Sequence, residues 1–264
     1  MTGSWAGGAC GDRAVCVLAP NPGAMTLDGT NTWVLREPDA SRSVVVDPGP
    51  PALEHLDAVA ATAGRVAVVL LTHRHLDHSE AAKSFAVRMG CGVRALDPEQ
   101  RLGDEGLTDG DVVAVDGLEV HVVGTPGHTS DSLSFVLPAE RAVLTGDTVL
   151  GRGTTVVAHP DGRLGAYLDS LERLRRLAEA QDVVSVWPGH GPVVDDALDT
   201  LDAYVLHRQE RLDQVREALA EMPADVASGD VARWLVEQVY VGVDPALWDA
   251  AELSVRAQLE YLRA

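Results

Sequence analysis

Cysteine is scarce in this chain: Cys10, Cys16 and Cys91 are an odd and scattered set. They suggest neither a disulfide framework nor a thiolate metal site. Aromatic residues make up only 4% of the sequence, so a base-stacking platform has little to be built from. Positive charge is short as well. Twenty-one Lys and Arg face forty Asp and Glu for a net charge of −19, and Lys83 is the one lysine. A field of that sign repels polyanions and disfavours nucleic acid as a partner. No apolar run approaches the roughly 18 residues that span a bilayer, so no membrane association is expected. The first twenty residues lack the basic flank and apolar core of a secretory signal, which makes the cytoplasm the expected compartment. A Gly-x-Ser-x-Gly elbow is missing too, and the cysteines have no evident partner, so a nucleophile supplied by the protein is not favoured.

What is present is a globular composition, 46% apolar over 264 residues, enough for one substantial domain or one domain with a small appendage. Short Val- and Leu-rich runs bounded by Gly, Pro and Asp predict strands at 15–18, 32–35, 43–47, 66–71, 112–115, 118–123, 133–137, 142–145 and 183–187. Helices are predicted over 52–63, 79–89 and 165–180, the last from leucines spaced three and four apart. After about Asp195 the pattern becomes helical throughout. One long helix carries Leu198, Leu201, Val205, Leu212, Val215 and Leu219 on one face. A second starts near Ser228 as N-cap and runs through Trp234 to Val239, and a third follows Pro245. The division expected is an α/β core over 1–195 and a helical appendage over 196–264. Deletion at Asp195 is expected to leave a soluble core.

The histidines carry the chemistry. An apolar strand runs from Val68 into Thr72-His73-Arg74-His75-Leu76-Asp77-His78-Ser79, which places four potential ligands within six residues. Two histidines one residue apart on an extended segment project to the same side and can reach one ion. Asp77 and His78 come round on the following turn and can serve a second. Later strands end in glycine-bearing turns that present His128, Asp147 and His190. A single histidine at a strand end is ordinarily a solvated residue, but this many concordant elements point to a site held by a rigid sheet. Imidazole and carboxylate ligands without thiolate favour zinc, with iron or manganese as the alternatives.

The run His73-x-His75-x-Asp77-His78, followed in order by His128, Asp147 and His190, resembles the hallmark of the metallo-β-lactamase superfamily. The resemblance implies an α/β fold, a four-layer αβ/βα sandwich with a dinuclear metal site along one edge. It implies that His73, His75 and His128 bind the first Zn2+, that Asp77, His78 and His190 bind the second, and that Asp147 bridges the two. Met25-Thr-Leu-Asp-Gly-Thr-Asn-Thr-Trp33, Val45-Val-Asp47-Pro-Gly, Tyr167-Leu-Asp-Ser-Leu171 and Tyr204-Val-Leu-His207-Arg208 are similar to the β-lactamase-like protein 2 group. That group has a winged-helix-like C-terminal cap and includes endoribonucleases acting on single-stranded RNA; related members are thioesterases that release polyketide acids from carrier proteins. The sequence ends at Leu262-Arg-Ala, which leaves no room for a β wing.

Two divalent ions, two aspartates and a bridging hydroxide leave a formal charge of about +1, which suits hydrolysis by a metal-held hydroxide. Asp77 is a candidate acceptor of the hydroxide's proton, or a ligand only, and Asp147 is catalytic through the bridge. Asp47 is expected to hydrogen-bond a ligand histidine or to serve as a plain turn residue. His159 is a candidate for the pocket mouth, or a solvated loop residue. His207 and Arg208 are candidates for holding an anionic substrate group, or surface residues of a helix. His55 and His121 are expected on surface positions, and Trp234 and Trp248 in the core of the appendage. Three functions stay open: a hydrolase of a small or carrier-linked ester, thioester or lactone, an RNA endoribonuclease, and a mononuclear iron enzyme that oxidises sulfur. The appendage carries six Arg against eight Asp and six Glu, which counts against RNA. The small-substrate hydrolase is the preferred reading, and a complete second ligand set would be superfluous in the iron enzyme.

Overall fold

The computed structural model describes residues 4–263. Six strands form the first sheet in sequential order: β1 (Gly8–Cys10), β2 (Ala14–Leu18), β3 (Asn31–Leu35), β4 (Arg42–Val46), β5 (Arg65–Leu70) and β6 (Gly92–Arg94). The first four pair antiparallel, whereas β4, β5 and β6 run parallel. Parallel neighbours need a crossover. It is supplied by α1 (Leu53–Ala63) before β5, and by α2 (Leu76–Ser79) with α3 (Ala82–Met89) before β6. The second sheet consists of β7 (Val112–Val115), β8 (Leu118–Gly124), β9 (Leu133–Leu137), β10 (Ala142–Gly146) and β11 (Ser185–Pro188). Its one parallel pair, β10 with β11, is joined through α4 (Leu164–Gln181).

Both faces of each sheet are covered, which explains why the central strands read as continuous apolar runs. Strand alternation sends Trp33, Leu35, Val44, Val46 and Leu70 inward to meet Val120, Val122, Phe135, Leu144 and Trp187 of the facing sheet. Trp33 and Trp187 stack across this interface with ring centroids 5.1 Å apart. Val34, Val45 and Val69 point the other way, onto Leu56, Val59 and Phe85 of α1 and α3. Val136, Val143 and Val186 likewise meet Tyr167, Leu171 and Leu174 of α4. The result is the expected four-layer αβ/βα sandwich.

Three helices follow: α5 (Ala197–Glu221), α6 (Val231–Val239) and α7 (Trp248–Arg263). No strand follows β11 among the described residues, so this part is helical without a wing. Ser228 does not cap α6; the N-cap position is Asp230. Trp234 and Trp248 pack on a small core of Val215, Leu235, Val236 and Val255. The first half of α5 behaves differently. Its Ala197, Leu201, Tyr204 and Leu212 belong to the same buried cluster as Leu171 and Leu174 of α4. Tyr204 also accepts a hydrogen bond of 2.8 Å from the Leu150 amide. Deletion at Asp195 therefore uncovers the α4 face and leaves that buried amide unpaired, at about 25 cal/mol per Å2 of apolar area re-exposed. The truncated chain is expected to accumulate as insoluble material or to bind a hydrophobic dye strongly. A soluble, dye-silent core would show that α5 is dispensable for folding.

Candidate metal centre

The edge of the sandwich at which β4, β5, β10 and β11 end carries the functional loops. Past β5 the chain turns at Thr72 and His73, and the first turn of α2 delivers Asp77 and His78. The β8–β9 connection brings His128, and the residue after β10 is Asp147. His190 comes two residues past β11. The first sheet fastens that last loop. Asn31 donates from Nδ2 to the carbonyls of Pro188 (2.9 Å) and Gly191 (2.8 Å), and the Gly189 carbonyl accepts from the Asn31 amide at 2.8 Å. Asn31 is fully buried at the start of β3, a polar residue in the core whose role sequence reasoning did not single out.

All seven predicted side chains meet here, in two groups: His73, His75, His128 and Asp147, and beside them Asp77, His78 and His190. His75 Nδ1 lies 3.0 Å from both His73 Nε2 and His128 Nε2. In the second group His78 Nε2 and His190 Nε2 are 3.2 Å apart, and His190 Nε2 is 3.1 Å from Asp77 Oδ2. Asp147 reaches both groups, with Oδ2 at 3.7 Å from His128 Nε2 and 3.3 Å from His190 Nε2.

The outer nitrogens of four of these rings are committed, which fixes what the inner ones present. His128 donates from Nδ1 to the Val156 carbonyl at 2.8 Å, and His190 from Nδ1 to the Gly29 carbonyl at 3.1 Å. His78 donates from Nδ1 to Asp47 Oδ2 at 2.9 Å. Thr72 gives its hydroxyl proton to the same oxygen at 2.6 Å, so its own oxygen accepts from His73 Nδ1 at 3.0 Å. One buried carboxylate thus orients a histidine in each group. Asp47 makes a hydrogen bond with His78, one of the two placements the sequence left open, and Thr72 is a relay that sequence reasoning did not single out.

With those Nδ1 protons placed, His73, His78, His128 and His190 all turn Nε2 into one small volume, where each can hold a cation. Two Nε2 atoms 3.2 Å apart need a cation between or beside them, a proton or a metal ion. Nitrogens about 2.0–2.1 Å from a tetrahedral ion lie roughly 3.3–3.4 Å from one another, close to the spacing found. Asp147 Oδ1 is buried without a hydrogen-bond partner, a further acceptor that lacks its cation. The donor set fits divalent metal.

Electrostatics divide the cluster the same way. Burial pushes His128 down to about 4 despite the pull of Asp147, and burial lowers His73 as well, so both are neutral imidazoles. Burial also penalises charged His190, but Asp147 and Asp77 outweigh it and hold the ring up at about 9. Asp147 in turn is held well below the usual carboxylate range: burial opposes its charge, and His190 and His78 overcome it. Gly189 lets the two loops approach this closely. A β-carbon there would collide with Asp147 Oδ1 and come within 2.8 Å of His78 Cε1. Gly189→Ala is expected to cost about 1–3 kcal/mol of stability and to lower bound metal. Elemental analysis and thermal melting check this, and full metal content at an unchanged melting temperature would refute the packing argument.

The metallo-beta-lactamase superfamily profile matches residues 25–190. A Caenorhabditis elegans protein named beta-lactamase-like protein 2 homolog is 33% identical over 95% of this chain and 84% of its own length. The chain belongs to the metallo-beta-lactamase superfamily. An Aspergillus fumigatus protein named atrochrysone carboxyl ACP thioesterase is 34% identical over 78% of this chain, which spans 65% of that relative. Among solved structures, a metallo-beta-lactamase family protein of Thermus thermophilus superposes with a TM-score of 0.76 at 22% identity, covering 95% of this chain and 93% of that one. It shares the fold.

In this member of the superfamily the metal cluster opens into a cavity of about 340 Å3. His128 and Asp147 form its floor, and Leu150, Tyr240, Val243 and Leu247 are among its walls. Of the other candidates, His207 and Arg208 of α5 do line it. His159 does not; it lies on a separate surface depression, 3.7 Å from Glu260. His121 is a half-exposed strand residue beside Glu119, as expected. His55 is a correction. It is buried rather than superficial, with Nε2 at 3.0 Å from Thr32 Oγ1 and 3.1 Å from the Pro48 carbonyl, where it braces the turn that carries Asp47.

Proposed function

We propose that this hydrolase cleaves a small or carrier-linked acyl substrate, a thioester, ester or lactone, at a centre of two divalent ions. Zinc suits the nitrogen and oxygen donor set best. His73, His75 and His128 would hold one ion and Asp77, His78 and His190 the other, with Asp147 shared between them. Bound there, the ions would supply a Lewis acid for the acyl carbonyl and lower the pKa of water toward neutrality. The protein residues divide the remaining work. Asp77, whose side chain keeps 29% of its surface exposed, is the carboxylate placed to take a proton from an incoming water. Leu150, Tyr240, Val243 and Leu247 desolvate the acyl chain.

The observation that carries this reading is the cavity. It is bounded by α5, by α7 and by the segment 240–247 before it, it is walled largely by apolar side chains, and its volume suits an acyl group. An RNA strand needs an open basic track, and residues 196–264 carry a net charge of −8. The thioesterase name of the Aspergillus relative supports a carrier-linked substrate. We take residues 1–195 as the catalytic part and 196–264 as its cap, and place the protein in a reducing compartment such as the cytoplasm, where its three free cysteines would be stable. The test is a panel of acyl thioesters, lactones, phosphodiesters and single-stranded RNA offered to the metal-loaded protein. Turnover of thioesters or lactones is expected, and turnover of RNA alone would overturn the reading.

A further inference from the structure

The charge on the cavity wall is the reverse of the charge on the molecule. In a chain of net charge −19, Arg152, Arg208 and Arg211 all line the cavity, and Asp147 of the metal cluster is the one acidic residue among its lining. Arg152 is neutralised by Asp28. The other two have no carboxylate partner among the described residues. Arg211 sits over the Tyr240 ring at 4.8 Å and gives a hydrogen bond to the Val239 carbonyl at 2.8 Å.

Arg208 is the more telling residue. It is 5% exposed, and its guanidinium lies 4.9 Å from the centre of the Tyr167 ring. Nη2 donates to the Thr155 carbonyl at 2.5 Å, while Nε is buried with no partner at all. A guanidinium cannot shed its proton to escape burial, so a cation withdrawn from water without an anion is costly. Folding tolerates that cost here beside the reaction centre. Thr155, whose carbonyl Arg208 holds, lies with its hydroxyl 3.2 Å from Nδ1 of His128. The unpartnered charge is therefore one residue away from the metal cluster, in the same cavity.

We propose that the acyl group of the substrate carries a carboxylate, bound by Arg208 with Arg211 beside it, while the scissile carbonyl lies at the Asp147 end of the cavity. This rests on the acyl-hydrolase reading and narrows it to acyl groups with an acidic terminus. Arg208 then acts twice: it selects the substrate by charge, and it fixes how far the acyl chain enters. A neutral acyl group of equal length leaves the guanidinium unpaired and is discriminated against for that reason.

The experiment offers the metal-loaded protein two N-acetylcysteamine thioesters, the succinyl compound and its neutral methyl ester. Calorimetric titration with the matching non-hydrolysable amides runs in parallel. The wild type is expected to favour the carboxylate form by about tenfold or more in kcat/KM and in affinity. Arg208→Gln should bring that ratio close to one, and Arg208→Lys should keep part of it. A purely structural role would lower both substrates together and leave the ratio intact, which overturns the proposal, as does a wild-type ratio near one. Should Arg208→Gln fail to fold, the wild-type ratio and its reduction in Arg211→Gln decide the matter. If neither thioester turns over while the amides still bind with the expected ratio, the thioesterase reading fails and the anion site stands.

Discussion

Replacing Asp147 with alanine should lower kcat/KM on the order of 10³-fold or more and reduce metal binding at both positions. Its carboxylate reaches both halves of the cluster, 3.7 Å from His128 Nε2 in one and 3.3 Å from His190 Nε2 in the other. His190 serves only the half that contains Asp77 and His78. His190→Ala should therefore leave one ion in place on His73, His75 and His128, with the milder loss of rate. The comparison needs metal stoichiometry and initial rates for both variants under identical loading. Equal stoichiometry, with His190→Ala the more damaged, would show that Asp147 does not join the two halves.

The second large effect belongs to a residue that touches no substrate. Asp47→Asn is expected to lower metal affinity and activity by about 10–100-fold at both ion positions, because this carboxylate orients His78 directly and His73 through Thr72. The residue has φ +50°, a region that asparagine tolerates well, so the backbone should keep its path. The hydrogen bonds will not survive. Asp47 Oδ1 accepts from the Thr72 amide at 2.8 Å, while Oδ2 accepts from the Thr72 hydroxyl and His78. An amide has one acceptor oxygen. Turned one way, its NH2 opposes the Thr72 N–H. Turned the other way, it opposes His78 Nδ1 and drives that ring into the tautomer whose proton points at the metal. Binding isotherms for metal on Asp47→Asn against wild type check this, and unaltered affinity at either position would exclude the shared support.

What the sequence made legible follows from distance along the chain. His73, His75, Asp77 and His78 lie within six residues at the end of one strand, so their convergence is local. His128, Asp147 and His190 were readable because each stands in a glycine-bearing turn at the end of a strand in a rigid sheet. The supports were not readable. The Asp47–His78 contact joins residues 31 apart and forms only when β4 and β5 pair. His55 looked superficial because a lone histidine in an amphipathic helix has no feature that tells which face it occupies. Strands β1 and β6 are three residues each, too short for an alternation to show, and exist through their ladder partners. The run 79–89 read as one helix, but it breaks between α2 and α3, where the chain turns away from the cluster. The cavity was hidden for a related reason: its walls combine residues 24–27, 150–156, the segment 240–247 and positions on α5 and α7 that share no pattern.

The central claim is that two ions together make the acyl hydrolase. Its most direct test is titration of metal-stripped protein with zinc, following thioester hydrolysis and metal content on the same samples, with X-ray absorption at the zinc edge on the loaded form. The account predicts activity that climbs to two ions per chain, ligand distances near 2.0–2.2 Å and a metal–metal vector of roughly 3.5–4 Å. Full activity at one ion per chain, or hydrolysis that persists without metal, would contradict it.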